Sequence, residues 1–224
     1  MDINVVRLGL TDYKKALEIQ EKLLVLRQKN IIGDVFLLVE HPPVITIGKS
    51  GSFSNIMISQ KQLESIGVRV FEVNRGGDVT YHGPGQIVGY MIMDLNNQDR
   101  DLHRFVGKIG EVFIRLLKDE YNITSSMSRA KYTGVWIEEE KITAIGIALK
   151  RWVTMHGFAF NVNTDMENFK WICPCGLRDR GVTSLKQITG ITQNFERLND
   201  LVLDYFCRVF NLEPVDKDLE TLIV

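Results

Sequence analysis

Cysteine, surplus charge and long apolar runs are all scarce in this sequence of 224 residues, and each shortage closes off a class of protein. Three cysteines, Cys173, Cys175 and Cys207, leave one unpaired and show no C-x-x-C spacing, which excludes a disulfide framework and a structural zinc site. Free thiols in a reducing compartment are the expectation. Lys and Arg number 27 against 28 Asp and Glu, a formal net charge of -1, so no global basic field exists to hold nucleic acid or an anionic membrane. No uninterrupted apolar stretch approaches the roughly 20 residues of a spanning helix. The opening "MDINVVRLGL" has neither the basic region nor the apolar core of a secretory signal, so a cytoplasmic location is expected and the sequon at Asn122 reads as chance. Also missing is G-x-x-x-x-G-K-[ST], and "GPGQIVG" is one residue too long for the dinucleotide fingerprint and leads into a β-rich run. No nucleotide, no metal and no other cofactor is expected.

What is present is an ordinary globular pattern, with 45% hydrophobic and 25% charged residues and no repeat or long linker. "INVVRLGL" predicts a first strand, and Thr11 is a candidate cap for a helix carrying Tyr13, Ala16, Leu17, Leu23 and Leu24. "DVFLLVE" and "VITIG" predict strands joined tightly by "HPP", where two prolines exclude helix. "SQKQLESIG" reads as a short helix, "VRVFEV" as a strand, and "IVGYMIMDL" as a buried strand. Apolar residues at spacings of three and four predict helices over 102–117 and 191–210, and "YTGVWI", "KITAIGIAL" and "WVTMHGFAFNV" predict a three-strand meander. The fold class is therefore α+β, in one domain spanning residues 1–224.

Two segments stand out chemically. "RGGDVTYHGPGQ", residues 75–86, packs four glycines, a proline, a histidine and an arginine into twelve positions ahead of a buried strand. Glycine is kept where φ must be positive or where another group approaches the backbone closely, so the segment is either a tight turn or a binding surface. "ICPCGLRDRGVTSL", residues 172–185, sets Cys175 between Pro174 and Gly176, where a thiol is presented to a ligand more readily than from a strand. A thiol of pKa ≈ 8.5 needs a base or cation beside it to act as a nucleophile. His82, His156 and Lys141 are the candidates, and spacing leaves the choice between Cys/His and Cys/Lys open. Cys207, within "LVLDYFCRVF", reads as a core thiol.

Taken in order, "EHPPVITIG", "RGGDVTYHGPGQ", "KITAIG", "MHGFAFNV" and "PCG...GVTSL" closely resemble the lipoyl(octanoyl) transferases across nearly the whole chain. The resemblance implies the fold of biotin and lipoate protein ligases, a mixed β-sheet flanked by helices. It implies transfer of an octanoyl group from octanoyl-acyl carrier protein to a lysine of lipoyl domains, such as the glycine-cleavage H protein or a 2-oxoacid dehydrogenase subunit. An ATP-dependent lipoate or biotin ligase on the same fold is the alternative. The cysteine of "PCG", here Cys175, would carry the acyl group as a thioester, and the lysine of "KITAIG", here Lys141, would be its partner in a Cys/Lys dyad. Substrate-binding positions would fall on Arg75, Gly76, Gly77, Asp78, Val79, Thr80, Tyr81 and His82, on Ala144, Ile145 and Gly146, and on Gly157, Phe158 and Ala159. On this view the glycines let backbone approach an acyl chain, Arg75 and His82 fix the tunnel rim, and a bulky residue at Gly146 shortens the chains accepted. Arg178, Arg180 and Lys186 are candidates to meet an acidic carrier. Two departures from the family pattern are Thr143 in place of a small alanine and the second thiol, Cys173, beside Pro174.

Overall fold

The computed structural model describes residues 1–98, 100–128, 132–173 and 181–223. The chain enters on β1 (Asp2–Leu10) and turns into α1 (Tyr13–Gln28). Asp12, not Thr11, caps this helix: its carboxylate accepts from the amides of Lys14 and Lys15, while the Thr11 hydroxyl turns back to the Leu8 carbonyl. β2 (Val35–Glu40) and β3 (Val44–Ile47) follow as predicted, but the prolines between them carry the chain from one sheet to another instead of joining neighbours. α2 (Gln60–Ser65) starts at a capping box of Ser59 and Gln62 and leads to β4 (Arg69–Glu72), β5 (Val79–His82) and β6 (Gln86–Ile92). The glycine segment thus contains a strand of its own, β5, which the glycines on either side hid from sequence reading.

α3 (Leu102–Tyr121) runs one turn beyond its predicted end, with Asn122 as a left-handed C-cap whose side chain accepts from Lys118. Beyond it lie β7 (Ser126–Ser128), β8 (Gly134–Ile137), β9 (Glu140–Lys150) and β10 (Val153–Asn161), and the last three form the expected antiparallel meander. β11 (Gly181–Val182), α4 (Leu185–Thr189), α5 (Phe195–Phe210), β12 (Glu213–Asp216) and α6 (Leu219–Ile223) complete the chain. α5 begins at the Asn194 cap because Gln193 is diverted: its amide donates to the Asn163 side chain.

Among the described residues, nine strands form a mixed sheet in the order β12-β1-β2-β6-β10-β9-β8-β7, with β11 added in parallel to β9. A second sheet holds β4-β3-β5. The mixed sheet and its flanking helices are the expected α+β arrangement, and the small sheet is an addition to it. α3 and α5 cover one face of the large sheet through Phe36, Phe113, Phe158, Phe160 and Phe206. α1 and α6 cover part of the other face through Leu23, Leu37, Val88 and Leu222. The small sheet lies over the remainder, tied down where the Gly76 amide donates to the Ile147 carbonyl of β9 at 3.0 Å.

Period-two alternation makes the gap between the sheets. On β10, Phe158 and Phe160 point into the aromatic core, which leaves Gly157, Ala159 and Asn161 on the opposite face. On β9, Ile145 and Ile147 pack on that core, which leaves Ala144 and Gly146 facing the same gap. Four small residues side by side leave the space unfilled.

Candidate active site

That space is a cavity of about 520 Å³. Its floor is Ala144, Ile145, Gly146, Gly157, Phe158 and Ala159, and its roof is Arg75, Gly76, Gly77, Asp78, Val79, Thr80 and His82. Tyr81 faces the other way: its ring packs edge-on to Phe169 and Trp171, and its hydroxyl accepts from Asn168. Alternation along β5 explains this, because Tyr81 belongs to the core of the small sheet while Thr80 and His82 look at the gap.

The glycine segment is fastened by backbone. Residues 48–50 donate to the carbonyls of Asp78, Arg75 and Gly77, and Asn55 donates to the Asp78 carboxylate at 2.7 Å. Arg75 does not stand at a solvent rim. Its buried guanidinium donates to the Thr46 carbonyl at 2.8 Å, to the Thr46 hydroxyl and to the Gly76 carbonyl, bracing the segment from within. Gly146 also has a reason different from the expected one. A Cβ there would stand 2.8 Å from the Gly76 carbonyl oxygen, so a larger residue displaces the roof instead of filling open tunnel.

Lys141 lies at one end of the cavity, at the start of β9. Its ammonium sits 4.9 Å from the centre of the Trp136 ring, and the indole N–H of Trp136 donates to the Tyr132 carbonyl. Gly134 lies against the aliphatic stem of Lys141: a Cβ there would come within 3.2–3.3 Å of Cδ and Cε. An aromatic face and a missing side chain therefore hold the lysine in one place.

Cys175, Arg178 and Arg180 lie outside the described residues; Lys186 is exposed on α4. The neighbours of that stretch are fixed at the cavity. Before it, Ile172 bridges to Ile56, the Cys173 amide donates to the Asn55 carbonyl, and Cys173 lines the cavity. After it, β11 pairs with β9 so that Val182 is the register partner of Lys141, and the Thr183 amide donates to the Lys141 carbonyl.

On the side of the cavity toward α1 the histidines and tyrosines are held neutral. Burial holds His41 at a pKa of about 4, and His82 and His156 at about 3, with nearby Arg75 opposing protonation of the last two. Tyr13 is pushed up to about 12 by burial, and burial also raises Tyr90 well above the ordinary tyrosine range. His41 bridges the Thr11 carbonyl and the Tyr90 hydroxyl at 2.7 Å each, and His156 pairs with the Asn74 amide oxygen at 2.6 Å. His156 adopts φ +63 inside β10, with its backbone amide turned to Gln20.

Residues 12–207 match the family model for the lipoyl protein ligase A/B catalytic domain. An octanoyltransferase of Caldicellulosiruptor bescii is 59% identical, covering 94% of this chain and 92% of its own, and one of Desulforamulus reducens is 53% identical, covering 100% and 99%. The chain belongs to the octanoyltransferase family. In solved structures the same fold recurs at low identity. A lipoate protein ligase of Thermoplasma acidophilum with bound lipoic acid superposes with a TM-score of 0.78 at 13% identity, covering 100% of this chain and 93% of that one. A biotin protein ligase of Aquifex aeolicus gives 0.54 at 16% identity, over 94% and 70%.

Octanoyltransferases are acyltransferases, and acyl transfer is the reaction class of this chain. Sequence reading missed several residues of its cavity: Tyr13, Gln86, Tyr90, Trp136 and Asn161. The signal for three of them was available. Gln86 and Tyr90 share one face of β6, and Asn161 continues the Gly157, Ala159 face of β10. Polar side chains in strands that are otherwise apolar mark a face that is not plain core. Among the described residues no helix is long and apolar enough to cross a membrane.

Proposed function

We propose that the chain moves an octanoyl group from octanoyl-acyl carrier protein to a lysine of a lipoyl domain, by way of a thioester on Cys175 with Lys141 as its acid and base. The observation that carries this reading is the pairing of β11 with β9, which anchors one end of the Cys175 stretch beside Lys141 while Cys173 at the other end lines the same cavity. The Cys175 thiolate attacks the donor thioester carbonyl, the bond to the carrier sulfur breaks, and the departing thiolate takes a proton from the Lys141 ammonium. The acceptor amine then attacks the new thioester, Cys175 leaves as thiolate, and Lys141 takes the proton that the amine sheds. The donor is already activated, so no nucleotide is consumed. The rival ATP-dependent ligase reading rests on fold likeness at 13–16% identity, against relatives 42–59% identical that are octanoyltransferases. Incubating the protein with octanoyl carrier protein and a lipoyl domain separates the two. Amide formation without ATP supports transfer, and a strict ATP requirement with free octanoate overturns it.

The open floor should set chain length. Ala144 and Ala159 are register partners on neighbouring strands and both face the gap. Ala144→Leu is expected to cut kcat/KM for octanoyl donors by about 10- to 100-fold while sparing butyryl donors, since each methylene of pocket contact contributes only about 1–3 kcal/mol to discrimination. Equal losses for both donors in a competition assay would count against an acyl chain lying over Ala144.

A further inference from the structure

Among the described residues, the Tyr13 hydroxyl and His82 Nε2 meet no protein partner in this cavity, and His156 Nδ1 is likewise unmatched; the network around the first two fixes what each can do. Gln86 donates its amide N–H groups to the Asn161 side chain and the Tyr81 carbonyl, so its oxygen is the atom that meets His82 Nδ1 at 2.8 Å. His82 Nδ1 must then be the donor. Since His82 is buried and held neutral, its Nε2 is an acceptor, and it meets no donor among the described residues. Beside it the Tyr13 ring lies nearly parallel, at 6.0 Å between centroids. Tyr13 is 2% exposed, its phenol is held protonated by burial, and its hydroxyl meets no hydrogen-bond partner among the described residues. Both side chains line the cavity. The contrast with their neighbours is informative, because His41 is engaged at both ring nitrogens and the Tyr90 hydroxyl is spent on His41.

An O–H donor and a ring-nitrogen acceptor, neutral and side by side, complement one neutral group that both accepts and donates, which is a hydroxyl. Their position says where that hydroxyl is carried. A hydrogen-bonded chain runs from His82 through Gln86 and Asn161 to the Thr183 carbonyl, and the Thr183 amide meets the Lys141 carbonyl. From Gln86 on β6 over β10 to β9 it makes two interstrand steps, so Gln86, the residue His82 is bonded to, stands on the order of 10 Å across the sheet from the Lys141 strand. Ala144 and Ala159, register partners on β9 and β10, line the same cavity two residues along the strands from this chain of hydrogen bonds. We propose that Tyr13 and His82 form a terminal subsite for a medium-length acyl chain bearing a hydroxyl at its far end, with Tyr13 donating to the hydroxyl oxygen and His82 Nε2 accepting its proton. The inference rests on the acyl-transfer reading for the direction of the chain, but not for the existence of the subsite.

Calorimetric titration of the intact protein with 8-hydroxyoctanoate and with octanoate tests the subsite without requiring transfer. The hydroxy acid should bind at least as tightly as octanoate despite the cost of dehydrating its hydroxyl, and Tyr13→Phe, which keeps the ring and its stacking, should lower the ratio of the two affinities by about tenfold. No binding of the hydroxy acid, or weaker binding with a ratio that Tyr13→Phe leaves unchanged, overturns the proposal and leaves the pair holding ordered water. Octanoyl and 8-hydroxyoctanoyl carrier proteins offered together to the enzyme give the second arm. If neither donor is used while the affinity ratio behaves as expected, the transfer reading fails and the subsite stands.

Discussion

Replacing Cys175 with Ser is expected to lower octanoyl transfer by about 10³-fold or more, and Lys141→Ala by about 10²- to 10³-fold. The asymmetry has a physical source. An alkoxide is far harder to generate than a thiolate with the same partner, whereas loss of the lysine leaves the thiol in place and slows both its ionisation and proton delivery to the leaving group. Lys141→Ala should also raise the apparent pKa at which Cys175 reacts with an alkylating reagent, because the ammonium no longer stabilises the thiolate. Trapping the enzyme with octanoyl carrier protein alone and mapping the acylated peptide decides the site. Cys207 is a poor competitor: it is buried in α5, and burial together with Asp204 and Glu213 pushes its thiol up to about 11. Cys173 is the real rival, since it lines the cavity itself. An octanoyl thioester on Cys173, or full turnover by Cys175→Ser, would falsify the assignment.

Much of the fold was legible in the sequence because its longer elements carry their period openly. α3 shows Phe105, Ile109, Val112, Phe113 and Leu116 at spacings of three and four, and all five are buried. The β8-β9-β10 meander was equally plain, since its runs are β-branched and its turns polar. Short elements were not: α4 spans five residues and β12 four, too few for any period to repeat. The small sheet escaped for another reason. β3 and β4 pair in parallel and β5 closes on β3 from the other side, pairings that local sequence does not specify. In the site, the expected substrate-binding positions other than Tyr81 line one cavity, but the reasons for individual residues changed. Gly146 is small because the Gly76 backbone lies over it, and Arg75 is a buried brace. Those reasons are tertiary, and no local pattern encodes them. Tyr13 was visible as one apolar position of an amphipathic helix, and its stacking on His82 at the cavity is a tertiary contact that the helix period does not encode.

The same neutral cluster should make the protein sensitive to mild acid. An unfolded histidine titrates near 6.5, while the native state holds His41 at about 4 and His82 and His156 at about 3, chiefly through burial. Above pH 6.5 all three are neutral in both states and impose no penalty. As the pH falls, the unfolded chain binds protons that the native protein refuses, so stability declines from about pH 6.5 toward the native values. The slope approaches about 1.4 kcal/mol per pH unit for each histidine, which puts the loss at pH 5 on the order of 5 kcal/mol for the three together. Typical domains hold only about 5–15 kcal/mol in total, so a loss of this size removes a third or more of the stability at a pH where most carboxylates are still ionised. Denaturant melts at pH 7.5, 6 and 5 measure this directly. His41 is the residue to vary, because it contacts Thr11 and Tyr90 and does not line the cavity. His41→Asn is expected to be less stable at pH 7.5, having lost the Tyr90 contact, yet to lose about a third less stability between pH 7.5 and 5. A parallel pair of stability curves, displaced but equal in slope, would mean that His41 enters the native state already charged and that burial at this site does not keep it neutral.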